Sequence, residues 1–195
     1  MKITGGVAMD VRDNTKYAFA NAIKKLLQNK DLNQIRITEL CALCGAERPT
    51  FYYHFRDKYD LIAWIYLKDL ELSVTRNNGI YDRQQLANLL HILRSKSSFY
   101  KKVFEEQAQN ALSNYIYEYN VRNTIHLIRG KMKQEEISRE MEFSVRFFAS
   151  AWVSCMVQWI LNPSGETPEE LADLIYQNLP PILANTYSGH LPFEP

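Results

Sequence analysis

Apolar positions along this chain recur every three or four residues, the spacing of a helix with one buried face, and strand-like alternation is nearly absent. From Thr15 to Gln28 the stripe is Phe19, Ile23, Leu26 and Leu27, with Lys16, Lys24 and Lys25 lying off it, which predicts an amphipathic first helix. Asn29-Lys30-Asp31 breaks it. Thr38 is a favourable N-cap for a short second helix with Leu40, Cys41 and Cys44 inward. Gly45 follows, where a tight turn needs a permissive backbone. A third helix is predicted from about Arg48 to Phe55, with Pro49 in the first turn, where its missing N–H costs nothing. Asp57 can cap a fourth, which runs through Leu61, Ile62, Ile65 and Leu72 to about Arg76.

Beyond the break at Asn77-Asn78-Gly79, Asp82 and Gln85 form a capping pair for a helix through Leu93. Further helices are predicted from Ser97 or Ser98 to about Phe104, from about Gln107 to Arg129, and from about Ile137 to Leu161. Tyr115 to Val121 alternates as a strand would, but its flanks carry helical spacing and no turn residues. The charge cluster from Lys131 to Glu136 reads as a solvated turn. Asn162-Pro163-Ser164-Gly165 is a stop, and Thr167-Pro168-Glu169-Glu170 is a helix start that combines an N-cap, a Pro at N1 and a Glu at N3. That helix reaches about Leu179, or further if it kinks at Pro180-Pro181, and the tail Ser188–Pro195 reads as frayed. The fold class is all-α. A three-helix head over residues 1–60 precedes a larger helical bundle over 61–195, with about nine helices in total.

Composition narrows the class. Of 195 residues 46% are apolar and 23% charged, ordinary for a globular protein with a sizeable core. A net charge of +1 lacks the basic excess usual in nucleic-acid proteins, although residues 1–60 carry ten Lys/Arg against seven Asp/Glu and the remainder thirteen against fifteen. Three cysteines, an odd number, point to a reducing compartment. MKITGGVAMD has no apolar core of a secretory signal. The uncharged stretch Phe147–Leu161 falls short of the ~20 residues that span a bilayer. A cytoplasmic protein with a buried helix there, and no membrane contact, is expected.

Catalytic and metal chemistry find little support. There is no Gly-rich phosphate loop, nucleophile elbow or His-x-x-x-His pair, and Glu105-Glu106, Glu135-Glu136 and Glu169-Glu170 read as solvated faces. Cys41-x-x-Cys44 has no second pair, and His54, His91, His126 and His190 are scattered singly, whereas structural zinc needs four ligands. Core packing is the better reading of the cysteines, and no metal, cofactor or catalytic residue is expected. His126, near Tyr115, Tyr119 and Arg122, reads equally as cavity wall or as an ordinary histidine. Phe143, Phe147, Phe148, Trp152 and Trp159 read first as a packing stripe and second as a ligand box. The helix around Val145–Leu161 is apolar on nearly all sides, so it must be covered all round, centrally or by a partner chain.

The informative run is Ile37 to Lys58, ITELCALCGAERPTFYYHFRDK. Two short helices meet at a Gly turn, the skeleton of a helix-turn-helix. The second carries an Arg, a Thr hydroxyl and three adjacent polar aromatics, which cannot all be buried because phenol and imidazole need partners. Lys58 stands at the start of the next helix, where N–H groups favour a phosphate. This run resembles the DNA-binding signature of the TetR/AcrR family of transcription regulators, in its turn, Gly, Thr-aromatic-Tyr-x-x-Phe core and following Lys. The likeness is close from Thr15 to Leu61. Phe99-Tyr100-Lys101-Lys102-Val103-Phe104, Trp159 and Thr167–Leu171 are loosely similar to a branch that includes regulators of dihydroxyacetone kinase operons.

The resemblance implies a non-enzymatic regulator that binds double-stranded DNA as a homodimer joined through its last two helices, with a small-molecule or protein effector held among the middle ones. It implies a recognition helix at Arg48–Phe55, with Arg48 and Tyr53 toward base edges and Thr38, Thr50, Tyr52, His54 and Lys58 on phosphates, Pro49 lying within this DNA-facing stretch and Phe51 and Phe55 serving as core. Glu47 and Pro49 depart from the family pattern, Glu47 by placing a carboxylate near phosphates and Pro49 by removing an N–H. They motivate an alternative, a helical regulator acting mainly through protein–protein contacts with weak DNA binding.

Overall fold

The structure is a computed structural model and describes residues 11–78, 82–105, 109–133, 136–162 and 165–184. Regular structure among these residues is entirely helical. The chain divides into two compact units, residues 1–62 and 63–195, with the boundary inside one helix.

In the first unit α1 (Val11–Leu27) is followed by a 3-10 turn (Leu32–Gln34), α2 (Ile37–Cys44), α3 (Arg48–His54) and the start of α4 (Lys58–Arg76). α2 is capped two residues earlier than its sequence suggests. Arg36 takes the cap position and donates its backbone N–H to the Glu39 carboxylate at 3.0 Å, so Thr38 lies exposed in the first turn rather than capping it. Glu39 also pairs with Lys30. At the other end Gly45 adopts φ 61°, and the Ala46 N–H donates to the Cys41 carbonyl at 3.0 Å, the left-handed stop expected of Gly there. Asp57 caps α4 by accepting from the Tyr59 and Asp60 N–H groups, both at 2.8 Å. The core of the unit is a cluster of edge-to-face rings. Phe19 meets Phe51 at 5.1 Å and Phe55 at 6.5 Å, with Ile23, Leu32, Leu40 and Leu61 also buried.

The second unit holds the rest of α4 and α5 (Arg83–Ser95), α6 (Ser97–Glu105), α7 (Gln109–Met132), α8 (Arg139–Leu161), α9 (Pro168–Gln177) and α10 (Pro181–Ala184). Ten α-helices are thus described where about nine were expected. Pro180-Pro181 ends α9 and opens a separate turn of helix whose Leu183 is fully buried against Val121, Ile128, Val145 and Ala149. Tyr115–Val121 is helical, as its flanks predict. The Lys131–Glu136 cluster begins inside α7, and Glu135, Gly79, Pro163-Ser164 and the tail lie outside the described residues. Thr167 forms the expected reciprocal cap with Glu170. Asp82 accepts from the Gln85 N–H at 2.9 Å, but the Gln85 side chain does not return the bond. It donates instead to the Ser73 hydroxyl at 2.8 Å and ties α5 to α4.

Polar locks are concentrated where helices meet. Asp69 of α4, 3% exposed, pairs with Lys96 and accepts from the Tyr100 hydroxyl at 2.6 Å. Between α5 and α9, Arg83 pairs with Asp173, and His91 meets Glu169 at 2.6 Å. Trp159 donates its indole N–H to the Glu166 carbonyl at 2.7 Å, with the Arg94 guanidinium 4.2 Å over its ring, locking the α8–α9 turn.

Of the two coverings expected for α8, the central one does not hold within one chain: Phe143 and Phe147 are 66% and 63% exposed and stacked 6.1 Å apart, and Ala151, Ser154, Cys155 and Gln158 continue the open face. The packing stripe is therefore Phe148, Trp152 and Trp159. By length and composition alone α8 is long and apolar enough to cross a membrane, and 44% of that window is buried within the fold.

Candidate nucleic-acid interface

α3 is seven residues long and sharply divided. Phe51 is wholly buried, while Tyr52 and Tyr53 are 49% and 68% exposed, Arg48 and Pro49 are exposed, and Thr50 and His54 are half-buried. The division follows from geometry. With Phe51 and Phe55 locked against Phe19, the neighbours one and two positions on must point outward. Arg48 donates to the Tyr52 hydroxyl at 3.5 Å, with its guanidinium 5.9 Å from the Tyr52 ring. Tyr53 meets the His54 ring edge-on at 5.0 Å. Glu47 is exposed at the N-cap position, where its carbonyl, not its carboxylate, accepts from the Thr50 N–H.

Beside α3 lies a groove of about 430 Å³ whose wall contains Arg36, Thr38, Arg48, Asp57, Lys58 and Tyr59. Three of the residues expected at a DNA surface, Thr38, Arg48 and Lys58, thus share one concavity, and Pro49, Thr50, Tyr52, Tyr53 and His54 lie along α3 outside its wall. Arg36 and Tyr59 belong to the same groove and were missed by sequence reasoning. Arg36 is an exposed cation immediately ahead of α2, a signal that was available.

The Lys58 ammonium is heavily engaged within the protein. It donates to the carbonyls of Leu32 at 2.5 Å and of Asn33 and Ile35 at 3.0 Å, using its three N–H groups to hold the 3-10 turn onto the start of α4. A phosphate would have to compete with these acceptors. Cys41 is buried and Cys44 half-buried, and burial pushes both thiols up, which leaves them poor nucleophiles. Among the described residues no group of three His, Cys, Asp or Glu side chains could hold a metal. His126 is exposed on α7, whereas Tyr119 is buried.

A ring-cored head with a Gly-turned helix pair, joined by one continuous helix to an all-helical body, defines a helix-turn-helix regulator. Residues 83–180, half of the chain, match the family described as transcriptional regulator C-terminal region of the TetR class. The chain belongs to the TetR family of transcriptional regulators. It is similar to the HTH-type dhaKLM operon transcriptional activator DhaS of Lactococcus lactis subsp. lactis (strain IL1403), 31% identical over 91 residues that make up 46% of this chain. The match spans about half the length of that relative, 49%. Among solved structures, one described as dihydroxyacetone kinase operon activator DhaS has a TM-score of 0.58 at 23% identity, covering 90% of this chain and 98% of its own. The TetR family repressor AlkX from Dietzia sp. strain DQ12-45-1b has a TM-score of 0.52 at 19% identity over 91% and 97% of the two chains. At these identities the structures speak for the fold.

Proposed function

We propose that this regulator binds operator DNA as a homodimer through α2 and α3, and that a small-molecule or protein effector in its helical body adjusts that binding. The observation that carries the reading is the division of α3. A helix anchored by Phe51 presents two adjacent exposed tyrosines and an arginine next to a groove lined by Arg36 and Thr38. Arg48 reads a base edge, best a guanine, and Tyr53 is the second groove-facing residue. Thr38, Thr50, Tyr52 and His54 set register on phosphates, joined by Arg36. Lys58 acts chiefly by holding the groove together. The protein acts in the cytoplasm and carries out no catalysis.

The open face of α8 supports the homodimer. From Phe147 to Gln158 its exposed residues are uncharged and mostly small, and a groove of about 620 Å³ with Leu174 of α9 in its wall runs beside it. A second copy covering this face buries the stacked Phe143 and Phe147 in a four-helix contact. Two heads then address half-sites about one helical turn of DNA apart, or a small multiple of it. α4 begins among the groove residues and ends in the body, so an effector that prefers one setting of this helix changes the DNA affinity.

The exposed Glu47 carboxylate favours the second reading, regulation through a protein partner with weak DNA binding. A mobility shift separates the two. DNA from upstream of the protein's own gene is challenged with random duplex at two salt concentrations. The DNA reading expects a competitor-resistant, salt-sensitive complex that weakens by about 1–3 kcal/mol in Arg48→Ala. Affinity equal to random DNA on every genomic fragment supports the protein-partner reading.

A further inference from the structure

Within the body, a small cavity of about 90 Å³ lies among residues of α4, α5, α7, α8 and α9, with Tyr66 and Leu70 of α4 in its wall. Tyr119 of α7 belongs to the same wall, is 3% exposed, and its hydroxyl has no hydrogen-bond partner, the one buried side-chain oxygen or nitrogen so placed among the described residues. Buried hydroxyls are almost always satisfied, because one that has lost water without gaining another partner is costly. Beside a cavity, the missing partner is naturally a molecule in that cavity.

The wall fixes the chemistry of such a molecule. It contains no Lys, Arg, His, Asp or Glu. An ionised ligand would leave water with no counter-charge, so the ligand is uncharged. Leu86, Leu89, Phe148 and Ile175 offer apolar surface, whereas Gln85, Asn120 and Asn123 add polar groups. The size is bounded too, since an apolar cavity of about 150 Å³ takes benzene, so this one takes a body of that order or smaller. Tyr119 is a donor at every physiological pH, because burial pushes its phenol up to about 12. A donor without an acceptor asks for an oxygen on the ligand.

We propose that this cavity binds a small uncharged molecule bearing a carbonyl or ether oxygen, and that this oxygen accepts a hydrogen bond from the Tyr119 hydroxyl. The proposal deepens, and rests on, the reading of the body as an effector domain. The coupling route is short. The ligand touches α4 through Tyr66 and Leu70, and Gln85, in the same wall, is the residue that donates to Ser73 of α4.

The test compares three probes of similar bulk on the full chain, cyclopentanone, cyclopentane and cyclopentanecarboxylate, by calorimetric binding and by the fluorescence of Trp152, which lines the cavity. The ketone is expected to bind about fivefold to tenfold more tightly than the hydrocarbon, the value of one hydrogen bond, and the carboxylate not at all. Tyr119→Phe keeps the ring and is expected to erase the ketone's advantage while leaving the hydrocarbon's affinity in place. Leu86→Phe, which fills the space, is expected to remove both. Equal binding of ketone and hydrocarbon by the wild type, absence of binding by either, or a ketone advantage that survives in Tyr119→Phe overturns the proposal. The first comparison needs no variant. Because these assays contain no DNA, their failure leaves the regulator reading standing, and a failed mobility shift leaves this one standing.

Discussion

Lys58→Met separates two roles that a lysine at this position can play. The substitution keeps the aliphatic stem and removes the three donors that hold the carbonyls of Leu32, Asn33 and Ile35. A hydrogen bond from a charged donor contributes about 1.5–3 kcal/mol net. Lys58 is only half-buried and the Asn33 contact is exposed, so water recovers much of the loss. We expect about 2–3 kcal/mol in total rather than the sum of three bonds. For a unit of 62 residues each kcal/mol moves the midpoint by about 4–8 °C, so the head should melt about 8–24 °C lower. Differential calorimetry with hydrogen exchange of the α1–α3 amides reads this directly. The DNA assay supplies the counter-test. If Lys58 serves as a clamp, the slope of log K against log salt, measured where both proteins are folded, stays unchanged. A head of unaltered stability together with a slope reduced by about 0.9 would refute the clamp and return Lys58 to a phosphate.

Other consequences follow from the same reasoning. Lys96→Met strands the buried Asp69 carboxylate with only Tyr100, and because Lys96 is one-third exposed its loss should cost about 2–3 kcal/mol of body stability in urea titration, toward the low end for a broken buried pair. Phe147→Glu places a charge on the open α8 face and should give a monomer by sedimentation, with a fold unchanged by circular dichroism; oxidation of Cys155 on that face should cross-link the wild type into dimers. Arg83 holds Asp173 below its ordinary value of 3.8, and His91 likewise holds Glu169 below 4.5. Depressed carboxyls contribute stability that is fully present above their unfolded values and lost as pH falls through the folded ones. Arg83→Met should therefore lower the melting temperature at pH 7, and the gap from the wild type should close as the pH drops below 3.8.

Much of the fold was legible because local signals agreed with the tertiary outcome. Gly45 after an apolar-faced run, Asp57 ahead of another and Thr167-Pro168 ahead of a third each mark a helix end by a mechanism confined to a few residues, and the structure shows all three. The exceptions involve distant partners. Thr38 is the better cap by type, but Glu39 reaches back to Arg36 and shifts the helix start. Gln85 reads as half of a capping box until Ser73, twelve residues earlier, takes its side chain. At the candidate site, the exposed aromatics of α3 were legible, since too many polar rings stood side by side to be buried. The engagement of Lys58 was not, because its acceptors are backbone carbonyls about 25 residues away and a carbonyl has no residue type to announce it. The open face of α8 was hidden for a different reason: small and apolar residues look the same in a core and on an uncovered face.

Under the proposed function α3 reads DNA in a twofold-symmetric complex. A selection from a random duplex library, run in parallel with the wild type and with Arg48→Ala, tests it most directly. The wild type is expected to enrich a pair of inverted half-sites about one helical turn apart, or a small multiple, and Arg48→Ala to enrich the same pair with the preference lost at one matching position in each half. Enrichment of nothing beyond general duplex affinity, or of a site that Arg48→Ala recovers unchanged at every position, would contradict it.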